Sequence, residues 1–334
     1  MNKNTSKILV TGGAGFMGSH IADELIKLGH KVVVIDDLSG GFKENVNSDA
    51  EFIEGSINNV DLINDLFKKH KFDYVFHLAA YAAEGLSHFI KHFNYQNNLI
   101  GSVNLINASV NNNVKCFVFT SSIAVYGSSQ PPMTEEMIPQ PEDSYAIAKY
   151  AIELELKISH EMFGLDYIIF RPHNVYGQRQ NIGDKYRNVV GIFMNQIMQD
   201  LPIAVFGDGK QKRAFTHIKD ATSVMAQSIF ELKAYNQIFN IGADEAVTVN
   251  KLAELVFQAM DKKTEIKYLS ARNEVKFAYS SHQKVKDVLD YKDNIALGDG
   301  LKKMAKWAKQ AGSKKSKEFN NIEISKNLPP SWSK

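Results

Sequence analysis

The stretch Thr11-Gly12-Gly13-Ala14-Gly15-Phe16-Met17-Gly18 restricts this chain's fold more than any other. It follows an apolar run, Lys7–Val10, and opens a helical pattern over Gly15–Leu28. A strand must therefore turn sharply into a helix, and glycine is the residue whose backbone passes through such a turn without steric cost. Bare glycines also let the main chain approach a pyrophosphate, whose charge then rests at the helix N-terminus. Asp36 closes the next apolar run, eighteen residues after Gly18. A carboxylate there accepts hydrogen bonds from both ribose hydroxyls and repels a 2′-phosphate, so NAD is expected over NADP. Asp37 begins a turn.

Short apolar runs then alternate with helical patterns. Strands are expected at Lys31–Ile35, Glu51–Glu54, Tyr74–Leu78, Lys115–Thr120 and Asp166–Phe170. Helices are expected at Asp61–His70, Phe93–Asn111 and Tyr145–Met162. Leu99, Val103, Leu105 and Ile106 mark the apolar side of the second helix. Continuous apolar strands separated by helices imply a parallel sheet covered on both faces. The fold class is therefore α/β, a doubly wound Rossmann-type sheet with a smaller mixed α/β substrate-binding domain. Residues 1–173 are expected to form the dinucleotide-binding domain, with 216–242 returning to it; 174–215 and 243–334 form the cap and C-terminal tail. The last twenty residues are polar, end in Leu328-Pro-Pro-Ser-Trp332, and are expected to drape over the surface or fray.

A length of 334 residues, 44% of them hydrophobic, suffices for such cores. The formal charge is +2, from 39 basic and 37 acidic residues, which gives no general case for nucleic acid or an anionic membrane. No apolar run approaches the ~20 residues that span a bilayer. The first residues run straight into a strand and leave no room for a signal peptide's apolar core. The single cysteine, Cys116, sits in an apolar run and reads as a buried structural thiol, in keeping with a cytoplasmic protein. His88 and His92, four apart, lack a convincingly spaced third metal ligand.

Tyr145 and Lys149 stand four apart in Ser144-Tyr-Ala-Ile-Ala-Lys149, so a helix brings them to one face. An ammonium beside a phenol is expected to lower the phenol's proton affinity and ready it as a base. With these pieces placed, nearly the whole chain resembles the extended short-chain dehydrogenase/reductase family, especially its nucleotide-sugar epimerases. The resemblance rests on the glycine loop, His77-Leu-Ala-Ala80, Thr120-Ser-Ser122 and the Tyr-x-x-x-Lys pair. It is extended by Phe170-Arg-Pro-His-Asn-Val-Tyr-Gly177, by Gly207-Asp-Gly209 through Arg213-Ala-Phe215, and by Phe239-Asn-Ile-Gly242.

The resemblance implies an NAD surface built from Gly12, Gly15, Phe16, Met17 and Gly18, with Asp36, Asp37 and Ser39 on the ribose side. Ser56 and Ile57 would lie at the adenine, and Leu78, Ala79, Ala80 and Ser121 along the groove. Asn98, Pro172 and His173 would border the nicotinamide. Lys149 would bind the nicotinamide ribose, and Ser122 would hydrogen-bond the reacting sugar hydroxyl beside Tyr145. Asn174, Arg213 and Arg272 would hold the sugar nucleotide, since the arginine fork matches phosphate oxygens. The family's dimers, built on the helices around Phe93–Asn111 and Tyr145–Met162, imply a homodimer. Departures are also present. Ser56 replaces a common aspartate, Ala214 replaces an acidic residue, and Tyr81–Ser87 lacks a lysine that some relatives carry, leaving Glu84 and His88 to face the sugar.

Ile123 and Ala124 carry the finest distinction. Dehydratases resembling this fold place an Asp-Glu pair there, and related decarboxylases keep a glutamate. Proton transfer next to a ketone needs a positioned acid or base, and two aliphatic side chains supply none. The expected activity is therefore an NAD-dependent nucleotide-sugar 4-epimerase: transient oxidation at C4, rotation of the ketose, and hydride return. Its alternatives are a 4-dehydrogenase or reductase, then a 4,6-dehydratase or a non-catalytic NAD-binding regulator.

Overall fold

A computed structural model describes residues 5–271, 277–316 and 319–332 of the chain. Its first half runs β1 (Lys7–Thr11), α1 (Phe16–Lys27), β2 (Lys31–Asp36), β3 (Glu51–Glu54), α2 (Val60–His70) and β4 (Tyr74–His77). It continues through α3 (Glu84–Ser87), α4 (Lys91–Tyr95), α5 (Gly101–Asn111), β5 (Cys116–Thr120), α6 (Ser144–Phe163) and β6 (Asp166–Pro172). These strands join β11 (Gln237–Ile241) in a seven-stranded parallel sheet ordered β11-β6-β5-β4-β1-β2-β3. The order reverses between β1 and β4, and ligand crevices open at the carboxyl ends of strands at such a point.

Side chains alternate across a strand, and here both alternating sets are apolar. Ile8, Val10, Val118, Ile168 and Phe170 pack on one face against α1 and α8 (Ile218–Gln227). Leu9, Phe117, Phe119 and Ile169 pack on the other against α2, α5 and α6. Fully burying each phenylalanine contributes about 2–3 kcal/mol. Cys116 is buried and free.

The expected helix at Phe93–Asn111 is interrupted. Gln96–Ile100 forms a wide π-turn between α4 and α5, where Asn97 and Asn98 make side-chain bonds to Phe93 O and Tyr81 O. His88 and His92 fall outside any common helix, because α3 ends at Ser87 and α4 begins at Lys91.

Beyond β6 the elements are β7 (Val175–Tyr176), α7 (Val189–Met198), β8 (Ile203–Phe206), β9 (Lys212–Ala214) and β10 (Thr216–His217). After β11 come β12 (Ala246–Thr248), α9 (Val249–Met260), β13 (Ile266–Leu269), β14 (Phe277–Ala278), α10 (Gln283–Leu289) and α11 (Leu297–Ala311). Helices α7, α9 and α11 share a separate apolar core that includes Phe193, Met194, Leu252, Val256, Leu301 and Met304. Thr216–His217, expected to rejoin the main sheet, instead pairs in parallel with Val175–Tyr176. Its partner β7 lies just past the end of β6.

The C-terminal segment departs further from expectation. Trp332 is only 6% exposed and packs with Leu86, Ile90 and Tyr186. Its aromatic partners lie far away in sequence, so local polarity did not reveal the docking. Among the described residues, no helix is long and apolar enough to cross a membrane.

Candidate active site

One large cavity, about 1660 Å³, runs along the carboxyl ends of β1, β2, β4 and β5 and under the later elements. Small-molecule pockets commonly measure about 300–1000 Å³, so this one has room for two ligands. Its floor is the glycine loop. Gly12 holds a left-handed φ of +69°, and a Cβ there would lie 2.7 Å from the Ala79 nitrogen. A Cβ on Gly18 would collide with the Gly12 carbonyl oxygen. Helix α1 has no side-chain cap and no acidic residue in its first turn, which leaves its N–H groups open to an anion. Thr11 locks this floor to the next strand: its hydroxyl accepts from the Leu78 and Ala79 N–H groups at 3.2 Å. The same hydroxyl lies 2.7 Å from His77 Nδ1, and His77 Nε2 lies 2.7 Å from Ser102 Oγ.

Asp36 faces the cavity at the end of β2, with its carboxylate accepting from Ala14 N at 3.0 Å and Leu38 N at 2.8 Å. Burial raises its pKa, and those two backbone bonds pull the other way. Asp37, Ser39, Ile57, Leu78, Ala79 and Ala80 also line the cavity, as do Gly15, Phe16 and Met17.

The reactive corner is set by β5 and α6. Asp143 caps α6 by accepting from Ala146 N at 2.8 Å, and the helix ends at Gly164 with φ +73°. Tyr145 is anchored in the first turn by its N–H, which donates to Ser87 Oγ at 3.1 Å. Lys149, one turn on, donates to the Thr120 carbonyl at 2.8 Å, with its ammonium 5.8 Å from the Tyr145 ring centre and 4.7 Å from that of Phe119. Ser122 follows β5 and accepts from Ala124 N at 3.1 Å. Ser121, Ser122, Tyr145 and Lys149 all border the cavity, as do Ile123 and Ala124.

The electrostatics differ from the expectation drawn from spacing. Burial raises the Tyr145 pKa, and the nearby Glu84 charge adds to it; a hydrogen bond from Ser122 and the Arg187 charge oppose them. Burial also lowers Lys149 to about 7, against a rise from the Glu153 charge. Both groups are therefore biased toward neutrality: desolvation outweighs the Ser122 hydrogen bond and Arg187 charge at Tyr145 and the Glu153 charge at Lys149.

The profile of the NAD dependent epimerase/dehydratase family matches residues 8–242. A Thermotoga maritima UDP-glucose 4-epimerase, solved with UDP-glucose, is 35% identical with a TM-score of 0.88 over 91% of this chain and 99% of its own. A putative UDP-glucose 4-epimerase of Methanocaldococcus jannaschii is 32% identical over 304 residues, 90% of this chain and 98% of that one. A UDP-N-acetyl-alpha-D-glucosaminuronate decarboxylase of Bacillus cytotoxicus is 29% identical over 91% of this chain and 98% of its own. The chain belongs to the NAD dependent epimerase/dehydratase family.

NAD is the family's cofactor, and this chain's residues fit it. The glycine cradle leaves no room for a Cβ at Gly12 or Gly18, the α1 N-terminus is uncapped, and Asp36 lines the cavity at the end of β2. Three expected cofactor contacts do not reach the cavity wall. Ser56 turns its hydroxyl to Asn58 N at 3.2 Å. Asn98 is buried and accepts from Tyr81 N at 2.8 Å, so it braces the loop after β4. His173 is buried behind Pro172, 2.8 Å from His282 Nε2, and His282 Nδ1 lies 2.8 Å from Asp244. Among the expected sugar-nucleotide contacts, Glu84, Asn174 and Arg213 line the cavity. Asn174 donates to Ala214 O at 3.0 Å. Arg272 lies outside the described residues.

The structure also brings forward residues that sequence reasoning missed. Arg171, 2% exposed, donates from Nε and Nη2 to the two oxygens of Glu153 and from Nη1 to Tyr126 OH at 2.7 Å. Ser121 donates to the same carboxylate, and Tyr126 OH donates to Asn240 at 2.8 Å. This buried network ties the ends of β5, β6 and β11 to α6. Arg171 was visible as a lone cation in an apolar strand, and Glu153 follows Lys149 by one turn. Arg187 sits over the Tyr81 ring at 4.7 Å and pairs with Asp184 at 2.7 Å.

Proposed function

We propose that this enzyme is a nucleotide-sugar 4-epimerase acting on a UDP-hexose. One observation carries the reading: the cavity wall beside Ser122 and Tyr145 is completed by Ile123 and Ala124, which have no acid or base to offer. Chemistry at C4 needs only the serine, tyrosine and lysine. Glu84 also lines the cavity, its charge acting on Tyr145, and two further carboxylates at this corner are engaged. Asp143 caps α6, and Glu142 accepts from the Ser128 amide and hydroxyl at 3.0 and 2.9 Å.

NAD, when bound, supplies the hydride acceptor at C4 and a positive charge beside the phenol. The chain's own residues supply the rest. Tyr145 takes the O4 proton, with Ser122 holding that oxygen in line. Lys149, fixed by Thr120 O, orients the cofactor ribose and, in its protonated form, offers its charge to the phenolate. Asn174, Arg213 and Arg272 hold the diphosphate while the ketose turns, and Tyr145 then returns its proton. Asn98 and His173 act through the loops that they brace. Asp36 selects NAD over NADP.

The exposed apolar positions Ile147, Leu154, Ile158, Met162 and Phe163 along α6, with Ile100 beside them, support a homodimer formed through these helices. A cytoplasmic location fits the unpaired thiol. The test is a panel of UDP-glucose, UDP-N-acetylglucosamine and UDP-glucuronate, with product analysis and absorbance at 340 nm. Interconversion at C4 without net NADH is expected. Stoichiometric NADH with a free keto sugar, or carbon dioxide from the uronate, would replace the 4-epimerase reading with a dehydrogenase or decarboxylase.

A further inference from the structure

The C-terminal segment 319–332 is anchored at both ends. Near its start, the Phe319 ring packs against Phe93 at 4.9 Å and Tyr81 at 5.5 Å, and its N–H donates to Tyr186 OH at 3.1 Å. Glu323 accepts from the His92 and Phe93 N–H groups at 2.7 and 2.9 Å, capping α4, which has no local side-chain cap. The Phe89 carbonyl accepts from both Glu323 N and Ile324 N. At the far end, Trp332 meets Tyr186 edge-on at 5.4 Å and lies against Gly85, where a Cβ would approach the indole to 3.1 Å.

These anchors put the segment at the reacting corner. Gly85 follows Glu84, whose charge acts on Tyr145, and Ser87 in the same short helix accepts the Tyr145 N–H. Lys326, Asn327 and Trp332 line the cavity itself. The segment thus bridges α3 and α4 on one side and the loop carrying Tyr186 and Arg187 on the other.

We propose that segment 319–332 is the outer wall of the sugar subsite and retains the keto-sugar between the two hydride transfers, with Trp332 closing it. The inference rests on the epimerase reading. A ketose has lost its O4–H donor and must be free to turn, so few directional contacts can hold it; enclosure and the diphosphate must do so. If it escapes, the sugar leaves as the free 4-ketone. Its hydride stays behind as NADH, its hydroxyl proton passes to Tyr145 and solvent, and the enzyme drops out of the cycle.

The test uses Trp332→Ala and Glu323→Ala, the latter releasing the anchor from outside the cavity. Affinities for UDP-glucose and UDP are measured by calorimetry in a Tyr145→Phe background, which halts turnover. Absorbance at 340 nm is followed with Tyr145 intact. Both variants are expected to bind UDP-glucose about tenfold more weakly while UDP changes less than about twofold. Enzyme-bound NADH should climb toward one equivalent as turnover stops. Folded variants with unchanged UDP-glucose affinity and no added NADH would overturn the proposal. So would equal losses for UDP and UDP-glucose, which would make the segment a prop for the whole cleft. If the parent enzyme itself releases keto sugar, the epimerase reading fails, and the affinity ratio still judges the wall.

Discussion

Replacing Lys149 by methionine should flatten one component of the protein's pH-dependent stability. Lys149 is buried with a pKa of about 7, against an ordinary 10.5. Between those values the unfolded chain carries a proton there that the folded protein lacks, so folding stability rises with pH. Integrating that linkage from pH 7 to pH 9 gives about 2 kcal/mol from this one group. For 334 residues, the unfolding entropy is about 0.7 kcal/mol/K, so the increment is about 3 °C in Tm. The assay is scanning calorimetry of NAD-free protein at both pH values. The wild-type Tm minus the Lys149→Met Tm should increase by about 3 °C on going to pH 9. Burial, more than the Lys149 charge, holds the His77 pKa well below its usual value. A constant or shrinking difference would refute the claim that Lys149 is held near neutrality by burial.

Four further outcomes follow from the same geometry. Tyr145→Phe should lower kcat by about 10²–10⁴ while NAD retention and Tm stay near wild type, because only proton transfer is removed; NAD content and steady-state kinetics check it. Glu153→Gln leaves the buried Arg171 guanidinium without its counter-charge and should cost about 3–5 kcal/mol, or about 4–7 °C in Tm. Ser121→Ala should cost much less, since one neutral donor is lost. Met162→Glu together with Ile158→Asp should turn a dimer into a monomer by light scattering, because both side chains belong to the exposed apolar face of α6.

Much of the fold was legible because its signals are local. The glycine loop, the apolar runs of β1, β2 and β5, and the Tyr145–Lys149 spacing each report on a few adjacent residues. What escaped depends on distant partners. Trp332 sits in a polar tail, and its burial against Tyr186 and Gly85 has no sequence period. Asn98 and His173 stand in recognisable places, yet their side chains turn to Tyr81 and His282 because buried polar groups must be paired. Spacing placed Lys149 beside Tyr145 but carried no information on how dry that corner is. Desolvation therefore reversed the expected direction of the phenol's shift.

The most direct measurement follows the hydrogen on C4. The UDP-hexose that turns over is supplied with deuterium at that carbon and incubated with enzyme and NAD in ordinary water. Hydride removal and return by one bound cofactor predicts deuterium retained at C4 of the epimer, with no net NADH. Loss of the label to solvent would show deprotonation in place of hydride transfer and contradict the role assigned to Tyr145, Lys149 and the dinucleotide groove.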